Sequence, residues 1–128
     1  MIDHLGFSVS DLARSSAFYV AALAPLGITE VMRVTPEETG AGSMLGYGKD
    51  GKPFFWIGDE KRVGAGIHVA FAVDTRSEVD AFYAAALAAG GIDNGPPGIR
   101  AHYHPNYYAA FVRDPDGQNI EAVCQRPE

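Results

Sequence analysis

Cysteine is almost missing from this 128-residue chain: Cys124 stands alone. One thiol cannot form an internal disulfide, so packing and hydrogen bonds must hold the fold, and the usage suits a reducing compartment. Basic residues are scarce too. Ten lysines and arginines face sixteen acids, for a formal net charge of −6. That balance argues against nucleic-acid binding and against an anionic membrane surface, since both want a basic face. Long apolar runs are lacking. The longest alanine-rich stretch, AFYAAALAAGG, is too short to span a bilayer. The opening MIDHLGFSV has no basic segment followed by a long apolar one. A soluble, cytoplasmic protein is expected. No GxSxG nucleophile turn occurs. The glycine-rich GAGSMLGYG lacks the Lys-Ser/Thr ending of a phosphate-cradling loop.

What is present is a repeat. DHLGFSVSDLARSSAFYVAALAPLG lies over IHVAFAVDTRSEVDAFYAAALAAGG at an offset of 64 residues, the distance from His4 to His68. At that offset Phe7 meets Phe71, Val9 meets Val73, Phe18 meets Phe82, Tyr19 meets Tyr83 and Leu23 meets Leu87. So many matches in one register indicate a duplicated unit.

Each copy opens with period-two alternation, the signature of a strand. Leu5, Phe7 and Val9 share one face and His4, Gly6 and Ser8 the other; the second copy repeats this with Ile67, Val69, Phe71 and Val73 against His68, Ala70 and Ala72. A helix follows in each. Ser10 or Asp11 can cap the first, and Thr75 with Glu78 has the spacing of a capping box for the second. Three further strands are predicted per copy, near 29–35, 43–48 and 53–58, then near 98–103, 107–113 and 118–124. KDGK and DPDG supply the turns before each last strand. The fold class is therefore α+β, with two βαβββ modules at about 1–62 and 63–128 in a single domain. The bulky side of each first strand should seat its helix. Gly6, Ser8, Gly46, Gly48, Ala70, Ala72 and Ala110 are candidates to line a hollow around which curled mixed sheets close.

His4 and His68 both fall on the small-residue side of matching strands, and Glu121 sits inside the final strand QNIEAVC. A lone buried carboxylate is expensive. A divalent cation resolves that expense, and two imidazoles with one carboxylate can hold one face of an octahedron, leaving positions for water or substrate. Taken singly, each histidine is more often a hydrogen-bonded strand residue than a ligand. Their equivalence across the repeat favours the metal reading.

HLGFSVSDLARSSAFY, GIHVAFAVD and DPDGQNIEAV resemble signatures of the vicinal oxygen chelate superfamily. This group includes glyoxalase I, extradiol dioxygenases, methylmalonyl-CoA epimerase, fosfomycin-resistance enzymes and bleomycin-binding proteins. The resemblance covers nearly the whole chain, and its most specific part is DPDG followed four residues later by Glu121. It implies paired βαβββ modules around a metal site, with His4, His68 and Glu121 as ligands to a divalent ion (Zn, Ni, Mn or Fe). Glu121, or a metal-bound water, is the implied base. A homodimer is also implied, in which the ligands come together within one chain or across two. The family's fourth ligand, on the last strand of the first module, has no counterpart: Phe55, Trp56 and Ile57 are the equivalents, with Trp56 the best match.

The resemblance leaves three functions open for a small-molecule ligand. One is a metal-dependent lyase or isomerase of the glyoxalase type. Another is a non-catalytic binder of the bleomycin-resistance type. The third is an iron-dependent dioxygenase. In the loop RAHYHPNYYAAF, His104 and Tyr108 are candidates for substrate contact, as is Trp56, while Tyr107 reads as packing. Arg33, Arg100 and Arg113 are candidates to hold a substrate carboxylate, with solvated surface arginines as the plain alternative.

Overall fold

A computed structural model describes residues 1–128. The chain alternates as the repeat predicts. Strand β1 (Leu5–Ser8) leads into helix α1 (Leu12–Leu23), then β2 (Thr29–Val34), a short helix α2 (Pro36–Thr39), β3 (Met44–Lys49) and β4 (Lys52–Gly58). The second half runs β5 (His68–Ala72), α3 (Arg76–Ala88), β6 (Ile92–Asp93), β7 (Gly98–Ile99), β8 (Tyr108–Arg113) and β9 (Asn119–Cys124). The first sheet has the order β1-β4-β3-β2 and the second β5-β9-β8-β6, with β7 also on β8. In each, the first strand lies parallel to the last and the remaining pairs are antiparallel. No helix is long and apolar enough to cross a membrane.

Local chemistry explains the element ends. Asp11 caps α1 by accepting from the Arg14 amide at 3.1 Å. Thr75 and Glu78 form the reciprocal capping box on α3. The strand expected near 98–103 shrinks to two residues. Pro96, Pro97 and Pro105 surround it, and proline donates nothing to a ladder. The chain from Arg100 to Tyr107 instead closes on itself, with the Arg100 amide donating to the Tyr107 carbonyl at 2.7 Å. Gly48 sits at a register shift in the β3–β4 pair, where an added Cβ would collide with the Lys52 carbonyl.

The bulky faces of both sheets and one face of each long helix merge into one cluster of 21 buried residues, so the halves share a single core. Phe55 of the first sheet meets Phe71 of the second edge to face, with centroids 5.3 Å apart. Tyr19 lies among Phe7, Phe18 and Phe55. Ala110, expected to line a hollow, is instead buried in this core, because it stands opposite Ala122 on the helix side of the sheet. Ala109 takes the other face. Cys124 is buried packing, as its strand face suggests.

The turn between β8 and β9 also joins the halves. Asp114 is buried and accepts from the Tyr19 hydroxyl at 2.5 Å and from the amides of Asp116 and Gln118 at 2.9 Å each. The Asp116 carboxylate accepts from both the backbone amide and the hydroxyl of Ser10, at the start of α1. Gln118 reaches the segment between β4 and β5, accepting from the Ile67 amide at 3.1 Å and donating to the Gly64 carbonyl at 2.7 Å.

Candidate functional site

The faces turned away from the shared core carry the polar candidates. In the second sheet, register decides who meets whom. His68 stands opposite Asn119, Ala70 opposite Glu121, and Phe111 opposite Glu121 from the other side. These residues therefore share one face. Glu121 is only 1 % exposed and makes two contacts there: Oε2 lies 2.8 Å from His68 Nε2, and Oε1 accepts from the Tyr107 hydroxyl at 2.5 Å. His68 remains 49 % exposed on its solvent side. The small side chains of Ala70 and Ala72 leave this face open above β5.

The Tyr107 phenol is pushed up to about 12, first by burial and then by its hydrogen bond to Glu121, so it stays a donor through the physiological range. Tyr107, read from sequence as packing, is thus part of the cluster. Tyr108, the residue singled out instead, points the other way. Its hydroxyl donates to Asp80 of α3 at 2.6 Å, and Arg76 lies over its ring at 5.2 Å. The pleat explains the exchange, since neighbours on a strand take opposite faces. In this antiparallel register the odd-numbered residues of β8 lie with odd-numbered Glu121, a signal available once the hairpin around DPDG is aligned. His104 lies in the exposed 100–107 turn, where its Nδ1 accepts from the Asn106 amide at 3.1 Å.

The first sheet presents a separate face. His4 precedes β1, and Gly6 stands opposite Trp56, which in turn stands opposite Gly46. The two glycines make room for the indole. An added Cβ at Gly46 would lie 2.9 Å from its ring, and one at Gly6 would lie 3.0 Å from its Cβ. His4, Ser8, Met44, Trp56 and Lys61 border a hollow of about 400 Å3. His4 Nδ1 lies 2.8 Å from Asp3, whose other oxygen accepts from Lys52 at 2.9 Å. These two partners hold the Asp3 carboxyl below its usual range, His4 first.

His68 Nε2 and Glu121 Oε2 fit neighbouring corners of a coordination shell. Donors about 2.1 Å from one ion, at right angles to each other, stand about 3 Å apart. His4 does not join them: no three His, Cys, Asp or Glu side chains converge within the chain. The structure thus brings together two of the three residues singled out as ligands and leaves the third just before β1 of the other sheet. A second hollow of about 350 Å3, lined by Leu5, Phe55, Val69 and Phe71 among others, lies between the edge strands β1 and β5.

Residues 1–122 match the model of the Glyoxalase/Bleomycin resistance protein/Dioxygenase superfamily. Among solved structures, a glyoxalase/bleomycin resistance protein from Albidiferax ferrireducens T118 is similar at 32% identity and a TM-score of 0.77, over 98% of both chains. A glyoxylase/bleomycin resistance protein/dioxygenase domain from Frankia sp. EAN1pec shares the fold at 19% identity and a TM-score of 0.73, also over 98% of both. Glyoxalase I from Zea mays shares it at 23% identity and a TM-score of 0.71, over 99% of this chain and 45% of that one. No curated protein matches by sequence. On the family model and the first of these structures, the chain belongs to the glyoxalase/bleomycin resistance/dioxygenase superfamily.

Proposed function

We propose that the protein is a metal-dependent enzyme acting on a small substrate chelated through neighbouring oxygens, with glyoxalase-like lyase or isomerase chemistry. The observation that carries this reading is the His68–Glu121 pair, two ligand-type atoms 2.8 Å apart on an open sheet face. A buried carboxylate with an imidazole beside it is a suitable cradle for a divalent cation, and Zn, Ni, Mn or Fe all suit such donors. His68 and Glu121 would hold the ion together with His4 of a second copy, since each chain offers one face of each kind. When bound, such an ion polarises substrate oxygens as a Lewis acid. Tyr107 holds Glu121 Oε1 and so keeps Oε2 turned toward His68. In this reading Glu121 would accept a proton from the carbon beside the chelated oxygens. Trp56 would wall the substrate on the side of His4.

Protein purified without affinity tag or chelator should carry about one divalent ion per chain, and Glu121→Gln and His68→Ala should each lose it. If no ion is present as purified, and none binds on titration with Zn, Ni, Mn or Fe, the proposal is overturned.

One observation favours a second reading, a binder of the bleomycin-resistance type. Both Glu121 oxygens already have partners within the chain, so the carboxylate is satisfied without an ion. Tight capture of an aromatic, drug-like compound, unaffected by chelator, would support that reading.

A further inference from the structure

Three arginines stand out as possible anion holders, and their surroundings separate them. Arg33 is paired with Glu30 at 3.1 Å. Arg113 donates to the Gly117 carbonyl at 3.1 Å. Arg100 alone of the three is built into the face that carries His68 and Glu121. Its guanidinium carbon lies 5.4 Å from the centroid of Phe111, and the other neighbour of that ring is His68, at 6.3 Å. Nη1 donates to the Gly98 carbonyl at 2.8 Å and Nη2 to the Pro96 carbonyl at 2.7 Å. Gly95 and Gly98 admit it closely: an added Cβ would lie 3.1 Å from Nη2 in the first case and 3.2 Å from Nη1 in the second.

This seat fixes the guanidinium without neutralising it. Two carbonyls occupy two of its five N–H donors, and no carboxylate lies within ion-pair distance. In a chain of net charge −6, a half-buried cation without an acid partner leaves a local positive field. Arg100, Asn94, Asn119 and Phe111 border a hollow of about 320 Å3. Asn94 Nδ2 donates to Asn119 Oδ1 at 3.1 Å, which leaves Asn119 Nδ2, at the border of the hollow, free to donate. Asn119 stands directly opposite His68.

We propose that Arg100 and Asn119 form an anion subsite: the substrate carries a carboxylate, or a similar planar anion, a few atoms from the oxygens gathered at His68 and Glu121. This deepens the proposed function and rests on it for the chelated end. The substrate class is a small oxoacid with a second carboxylate. Arg100 binds that group bidentately and selects for its charge.

The test compares 2-oxobutyrate with 2-oxoglutarate, which share the chelating end and differ in the distal carboxylate. Binding to protein supplied with a divalent ion is read from the fluorescence of Trp56. Wild type should favour 2-oxoglutarate by about tenfold or more, and Arg100→Met should abolish that preference. In parallel, inorganic phosphate without metal should shift the Arg100 Nε–H resonance. Where an oxoacid binds, the subsite is overturned if the preference is absent or survives in Arg100→Met; it is overturned in any case if phosphate leaves the resonance unmoved. If neither oxoacid binds but phosphate still shifts Arg100, the chelated end of the substrate is misassigned while the anion subsite stands.

Discussion

At the residue scale, the two outward faces depend on small side chains for different reasons. Alanines beside His68 leave room above it, whereas glycines beside Trp56 are filled by the indole. Gly46→Ala should therefore strain the first sheet. Its Cβ would meet both the Trp56 ring and Pro53, and overpacking of this kind costs about 1–3 kcal/mol, readable by urea denaturation. Trp56 is the sole tryptophan, so a displaced indole should also change the emission. Tyr107→Phe removes one of two partners of a buried carboxylate and should lower stability by about 1–3 kcal/mol. Tyr108→Phe should leave metal uptake unchanged, because its hydroxyl serves Asp80 on the far side of the sheet. Strand parity marked His68 and Glu121 in the sequence, with duplication adding weight for His68, and the structure sets the two side by side. Tyr107 was not, because two adjacent tyrosines at the start of a strand look alike until the partner strand sets the register.

At the element scale, the repeat predicted both long helices and most strands because its signals are local: alternation, caps and Asp-Gly turns. Thr75→Ala should cost about 1 kcal/mol by opening the capping box, with no effect on ligand binding, since α3 lies on the core side. The short helix α2 is not legible from periodicity although TPEET carries the same signature, Thr35 with Glu38 around a first-turn proline. Four residues give too little periodicity to separate a helical turn from a loop. The stretch 98–103 failed for the opposite reason. Completing the repeat calls for a strand there, but the flanking prolines withhold ladder donors and Arg100 folds the chain back on Tyr107. The departure from a regular strand is what places Arg100 beside Phe111.

At the scale of the whole molecule, the two polar faces belong to different sheets, and the proposed function joins His4 to His68 and Glu121 across two chains. An equimolar mixture of His4→Ala and Glu121→Ala chains, unfolded and refolded together, should regain about a quarter of the wild-type metal sites, since half the dimers are mixed and each holds one intact combination. No recovery would place the site within a single chain. The alkaline limb of the stability curve should be steep. Burial raises the phenols of Tyr19, Tyr47 and Tyr107, and Asp80 raises Tyr108. Unfolded tyrosines ionise near about pH 10, while these keep their protons when folded. Their stabilising contribution is complete below that pH and is lost as pH rises, through about 12 for Tyr107. Tyrosinate absorbance followed beside unfolding would show the late ionisation.

The turn Asp114–Gln118 ends β8, starts the strand that delivers Glu121, docks the beginning of α1 and anchors the connection between the halves. None of its side chains hydrogen-bonds to His68 or Glu121. A mutational screen scored by function alone will nonetheless rank these positions beside the site itself. Only a parallel readout of abundance will separate them: changes at Asp114 or Asp116 should remove protein from the cell, whereas on the proposed function Glu121→Gln should leave protein present and inactive.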